Sequence, residues 1–316
     1  MDIFIQQILN GLVLGSVYAI IALGYTMVYG ILGIINFVHG EVLMVGVMVA
    51  LSAIGIMQKH FPTLNHVAML FLALIIAAVV CAMVGYTIER VAYRPLRRAP
   101  RMAPLITAIG MSILLQTLAM MIWGRNPLAF PQLLPTDPIE VISATADRAG
   151  AVISMTEIVI ILVAFAVMGG LLLLVHKTKL GRAMRAIAEN PGVASLMGVN
   201  PNFVISATFM IGSALAAIAG IMIASEYGNA HFYMGFIPGL KAFTAAVLGG
   251  IGNLGGAMVG GILLGLIEQL GAGYIGELTG GVFGSNYQDV FAFMVLIIVL
   301  VFRPSGLLGE RVADRA

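Results

Sequence analysis

The chain has 316 residues, 60% of them hydrophobic and 9% charged, with a formal net charge of +2 and a mean hydropathy of +1.05. A soluble domain carries about 25% charged residues, so this composition excludes one and places the chain in a lipid bilayer; the small net charge gives no reason to expect a nucleic-acid partner. Length alone would allow two soluble domains, but successive uncharged runs long enough to cross about 30 Å of hydrocarbon predict a single transmembrane domain over 1–316, all-α and polytopic.

Eight apolar blocks follow one another at 7–35, 42–57, 67–88, 103–124, 157–175, 203–225, 239–270 and 290–302. The opening MDIFIQQ lacks the basic region of a cleaved signal, so the first block is expected to be a retained span. Between the first two blocks lies GIINFVHGEVLMVG (33–46), which carries Asn36, His39 and Glu41. Polar and ionisable residues at membrane depth are costly and usually face a bundle interior or a pathway. The segment reads either as such a lining or as a short turn capped by Asn36 or Glu41. Cys81, the sole cysteine, allows no intrachain disulfide and reads as a small apolar residue.

The segment 89–101 holds Arg90, Arg94, Arg97, Arg98 and Arg101, and 177–185 holds Lys177, Lys179, Arg182 and Arg185. Basic loops mark the cytoplasmic side, and two blocks separate these loops, so both can lie there together. Trp123 suits the opposite interface. The loop 125–156 is broken by Pro127, Pro131, Pro135 and Pro138, after which IEVISA and GAVISM flank TADRAG as a hairpin would. It reads either as a receiver for an external partner or as a lid on the bundle.

Residues 181–190 form a predicted helix stopped by Pro191, with Asn200-Pro201 punctuating before the next span. Arg182, Arg185 and Glu189 fall on one face and Ala183, Ala186 and Ile187 on another. Such a helix fits a groove on a cytoplasmic partner; the plainer alternative is a basic loop that only fixes topology.

The block 239–270 contains Gly250, Gly252 and Gly255 in the G-x-G-x-x-G spacing of a dinucleotide turn. That motif needs a preceding strand and an acidic residue about 20 positions on, whereas 242–267 carries no charge and Glu268 comes too early. The block is also too long for one crossing, about 48 Å as a straight helix. A break at 252–256 gives two half-length helices of about 20 Å that enter and return, and brings the tail, with Arg303, Arg311 and Arg315, to the cytoplasmic side. Gly256/Gly260 and Gly261/Gly265 provide small-residue faces for close helix packing. Broken helices at membrane depth survive only against protein or a water-filled cavity, which makes Gly250, Gly252, Asn253 and Gly255 candidates for a transport route, with close packing alone as the competing account.

The histidines His39, His60, His66, His176 and His231 show no ligand spacing, so no metal site is expected. No G-x-S-x-G, C-x-x-C or Walker lysine occurs, which leaves no visible apparatus for catalysis, and no cofactor is expected.

Four segments, GIINFVHGEVLMVG (33–46), GRAMRAIAENPGVASLMGVN (181–200), KAFTAAVLGGIGNLGGAMVGG (241–261) and FRPSGLLGE (302–310), closely resemble, in order and over nearly the full chain, the smaller of the two paired permeases of bacterial ATP-driven importers for branched-chain amino acids. The resemblance implies a bacterial inner-membrane subunit, not an enzyme. Its implied partners are a second permease, two cytoplasmic ATPases and an external substrate-binding protein. The surface helix and the interrupted spans read above are then expected to supply ATPase coupling through Arg182, Arg185, Glu189, Asn190, Gly192 and Gly198, and a translocation path by Asn36, His39, Glu41, Gly250, Gly252, Asn253 and Gly255. Permeases for urea and short amides are similar in the same segments, and a passive channel would share the broken helices while having no use for a docking helix.

Overall fold

The computed structural model describes residues 2–97, 99–100, 102–135, 137–142, 150–278, 287–303 and 305–309. Arg98, Arg101, Arg311, Arg315 and the hairpin tip 143–149 lie outside them. The helices are α1 (Asp2–Leu32), α2 (His39–His60), α3 (His66–Ile88), α4 (Met102–Trp123), α5 (Met155–Lys177), α6 (Lys179–Glu189), α7 (Pro191–Leu196), α8 (Pro201–Tyr227), α9 (Phe236–Gly249), α10 (Leu254–Leu278) and α11 (Gln288–Phe302). Seven, namely α1–α5, α8 and α10, are long and apolar enough to cross a membrane, and α9 and α11 are shorter apolar helices.

Helix starts follow local chemistry. Ser154 and Glu157 form a reciprocal capping box at α5, Asn65 caps α3, and Thr178 caps α6. Asn190-Pro191 and Asn200-Pro201 each supply a cap followed by proline at the first helical position of α7 and α8. Pro191 thus ends α6 as the sequence predicts, and then starts a further short helix.

Short strands join the loops at one end. β1 (Leu128–Ala129) pairs antiparallel with β4 (Asn229–Ala230), and β2 (Pro138–Ile142) pairs antiparallel with β3 (Ala151–Ser154), the hairpin read from the sequence. The Gln6 side-chain carbonyl accepts from Val152 N at 2.8 Å, so the N-terminal end of α1 lies at this hairpin end. At the opposite end, Gly30 of α1 approaches Gly252, which shares a small pocket with Met184 and Arg185 of α6.

α1 is the most enclosed span, whereas α3, α4 and α5 turn apolar faces outward, with Ile75, Ile106 and Leu162 among the exposed residues. α10 lies between α1 and α9 through two glycine rows. A Cβ on Gly15 or Gly11 of α1 would lie 2.8 Å and 2.9 Å from the backbone of Ile262 and Leu266, while Gly261 and Gly265 leave no room for one against Ala19 and Gly15. Gly256 and Gly260 face Gly249 and Ala245 of α9 instead. Backbones this close gain dispersion contacts that lipid cannot supply.

The block 239–270 breaks at 250–253, but its halves are unequal. α9 has 14 residues, about 21 Å, and α10 has 25, about 37 Å and a full crossing. The turn between them therefore lies at the α6 end instead of at mid-depth. Hydropathy stops the block near Glu268 because a charge interrupts it; in the fold that charge is paired, and the helix runs on.

Candidate functional site

α1 ends at Leu32, with Gly33 in the left-handed region (φ 65°) donating to the Tyr29 carbonyl at 2.8 Å. The chain turns back into the bundle before α2 begins at His39, alongside Gly24 near the middle of the C-terminal half of α1. α2 opens without a side-chain cap. Neither the Asn36 nor the Glu41 side chain caps it: Asn36 Oδ1 accepts from the Tyr93 hydroxyl at 2.9 Å, while its backbone carbonyl accepts from His39 N at 3.1 Å, and Glu41 points to α4. The His39 ring is 1% exposed, fills the space that Gly24 leaves by lacking a Cβ, and packs edge-on against Tyr25 with centroids 4.7 Å apart.

Glu41 is also 1% exposed. Its Oε1 accepts from Gln116 Nε2 at 2.7 Å and from Ser112 Oγ at 3.2 Å, whereas Oε2 is buried without a partner. Beside it α9 begins, again with no side-chain cap, after the non-helical stretch 231–235. Gly40 and Gly235 touch backbone to backbone; a Cβ on Gly40 would come within 2.6 Å of the Gly235 carbonyl oxygen. Two helix starts thus meet inside the bundle and border a cavity of about 400 Å³, walled by Tyr25, Phe37, Tyr233, Phe236 and Leu240 together with Glu41, Ser112 and Gln116. In place of side-chain caps, the amides of His39 and Phe236 donate to the backbone carbonyls of Asn36 and Tyr233 at 3.1 Å and 3.4 Å, and the positive ends of two helix dipoles border one space.

The glycine turn occupies another layer. Gly252 lies by Gly30 and His39 by Gly24, and six residues of α1 are about 9 Å of axis, so the turn and His39 sit at different depths along α1. Gly250 has φ 109° and lies against Gly306 and Gly309. Leu307 N and Leu308 N donate to the carbonyls of Leu248 and Gly249, both at 2.9 Å, and Asn253 Nδ2 donates to the Leu308 carbonyl at 2.8 Å. Residues 305–309 therefore form a strap across the turn. Gly255 lies in the first turn of α10, where Asn253 Oδ1 accepts from Gly256 N.

On α6, Arg182, Arg185 and Glu189 are exposed while Gly181, Met184 and Ile187 are buried. Met184 takes the inward place that the sequence reading gave to Ala186, which is exposed. Asn190 holds the start of α7 through Gly192 N and Val193 N, both at 3.0 Å, and Gly198 adopts φ 85° at its end. Val193, Leu196 and Met197 stand 55%, 86% and 80% exposed beside these charges, an apolar patch that sequence periodicity over six residues cannot show.

Two ionic clusters escaped the sequence reading. Glu89, fully buried, accepts from Arg94 at 3.0 Å, from Arg97 and from Ser206 Oγ at 2.7 Å, tying the end of α3 to the start of α8. Lys241 of α9 pairs with Glu268 of α10 and Asp289 of α11, each at 2.5 Å, and the Tyr18 hydroxyl of α1 donates to Glu268 at 3.3 Å. The signal for Lys241 and Glu268 was the isolation of each charge in apolar surroundings, whereas Glu89 was hidden at the head of the basic segment 89–101.

Broken helices meeting at a mainly apolar cavity that is open on one side, where Ile113 and Tyr233 are exposed, and carries Glu41, Ser112 and Gln116, in a bundle with apolar outward faces, define a multi-pass helical membrane protein of the transport type. The chain belongs to the family described as branched-chain amino acid transport system / permease component, whose model matches residues 7–300. It is 48% identical, over 97% of this chain and 96% of the relative, to the high-affinity branched-chain amino acid transport system permease protein BraD of Pseudomonas aeruginosa. It is 43% identical, over the same shares, to LivH of Escherichia coli, a protein of the same description. A probable branched-chain amino acid transport permease protein LivH of Methanocaldococcus jannaschii is 28% identical over 98% of this chain and 94% of its own length.

Proposed function

We propose that this chain is a permease subunit of an ATP-driven importer for branched-chain amino acids, placed in a bacterial inner membrane with its α6 end and C-terminus in the cytoplasm. Its match over 97% of its length to permeases bearing that cargo in their description carries the reading. A second permease closes the open side of the cavity, two cytoplasmic ATPases dock on the α6–α7 surface, and an external binding protein delivers cargo at the hairpin end. The chain itself conducts and performs no chemistry. Arg182, Arg185 and Glu189 offer charges to the ATPase, and Asn190, Gly192 and Gly198 shape α7, which presents Leu196 and Met197. Asn36, His39 and Glu41 belong to the cavity layer of the path. Gly250, Gly252, Asn253 and Gly255 form its α6-end turn, where the motion of α9 relative to α10 is absorbed.

The test is reconstitution. The chain, purified with its neighbouring permease, ATPases and binding protein and placed in proteoliposomes, takes up labelled leucine, isoleucine and valine only with ATP and loaded binding protein. Uptake of urea or acetamide in place of the three amino acids would assign a different cargo, and uptake without ATP would make the chain a passive facilitator.

A further inference from the structure

Three features converge on the cavity between the starts of α2 and α9. First, Glu41 has one oxygen saturated by two neutral donors and the other buried without a partner. A carboxylate oxygen left bare in a low-dielectric interior costs free energy that a mobile cation can recover. Secondly, both helix starts lack side-chain caps, their first amides turning to the backbone carbonyls of Asn36, Val38 and Tyr233, and both border the cavity through Gly40, Phe236 and Gly239, where their partial positive ends favour an anionic group. Thirdly, the remaining wall is aromatic and aliphatic, including Phe37, Phe236 and Leu240, and the volume of about 400 Å³ lies in the small-molecule range.

A bare metal cation is a poor fit, because hard cations ask for several oxygens and the described wall offers one free carboxylate oxygen among apolar faces. An ammonium with an alkyl body uses one strong acceptor, aromatic faces and apolar wall together. We propose that this cavity is the transit site for the substrate zwitterion, with the Glu41 carboxyl turning into it to receive the α-ammonium, the starts of α2 and α9 bordering the α-carboxylate, and the aromatic wall receiving an aliphatic side chain. Ser112 and Gln116 are positioning residues that hold the Glu41 carboxyl through Oε1. The inference rests on the importer reading and deepens it: selection continues inside the membrane, after the binding protein has released its cargo.

The experiment uses the whole reconstituted importer. Wild-type uptake of leucine tests the importer reading by itself. Given that uptake, E41Q complexes that copurify with their partners in the wild-type ratio transport leucine about tenfold more slowly or worse, the change expected when a charge-assisted hydrogen bond is lost, while E41D recovers part of the rate. Wild-type rates in assembled E41Q would overturn the inference and leave the importer reading intact. A second arm holds even if E41Q fails to assemble. In I113C, with Glu41 present, a cationic methanethiosulfonate reacts at least about tenfold faster than an anionic one, as expected beside an unpaired carboxylate, and 3-methylbutylamine slows it. Native Cys81 is fully buried and serves as the silent background. Equal rates for the two reagents, or no protection by the amine, would overturn the assignment of Glu41.

Discussion

Lys241 is the residue on which the α9–α11 corner turns. Its ammonium is 8% exposed and lies between Glu268, fully buried, and Asp289, half exposed. A buried pair is weak evidence of net stabilisation, but removing one partner strands the other and costs about 3–5 kcal/mol. Lys241→Met is therefore expected to lower the thermal unfolding midpoint of the purified chain in nanodiscs, whereas Lys241→Met combined with Glu268→Met recovers most of that loss. A double variant no better than the single would show that the ions contribute direct attraction beyond mutual compensation. Sequence reading reached Glu268 only as an acid in the wrong place for a ribose. Its partner sits 27 residues away across a helix break, and no periodicity links the two. Glu41, His39 and Asn36 were legible for the opposite reason: three polar groups within six positions interrupt two apolar runs, and cost alone marks them.

At the scale of elements, α6 and α7 show how a short sequence motif sets a surface. Asn190 ends one helix and caps the next, so that exposed charges on α6 and exposed Leu196 and Met197 after the bend face the same end of the bundle. Glu189→Lys reverses one charge and Gly192→Trp obstructs the cap, and each is expected to lower uptake in the reconstituted importer at least about tenfold, through lost docking or uncoupled hydrolysis. Both variants should still insert, since α6 and α7 lie outside the spans. Normal copurification together with normal uptake would remove this surface from the docking role. The 239–270 block was legible as broken, because 32 apolar positions exceed one crossing. The inequality of its parts was not, because the charge of Glu268 ends the apolar block while α10, with that charge paired, runs on to Leu278.

For the whole molecule, the fold arranges its ends unambiguously relative to one another. The α1 start and the β2–β3 hairpin share one end, and α6, the glycine turn and the 305–309 strap share the other. Cysteines at Gly192 and Leu308 are accordingly expected to react with membrane-impermeant reagents only from the cytoplasm, and one at Glu140 only from outside. Reaction at Leu308 from outside would reverse the orientation or break the arrangement. The class of fold was readable from composition and block length because a bilayer forces every backbone group into helices at known lengths. Which helices sit inside was not. α1 is less apolar than the peripheral α3 and α5, an inversion that follows once glycine rows against α10 do the packing.

That pairing sets a schedule for biogenesis. α1 leaves the ribosome long before α10, yet its glycine groove is filled only by that helix, roughly 250 residues later, which at 5–20 residues per second is a delay on the order of ten to fifty seconds. During that interval the newborn span meets lipid, or an insertase, along the seam its permanent neighbour will cover. Substitutions on that seam therefore act twice: once on the finished bundle, and earlier on how long an unpaired helix survives membrane quality control.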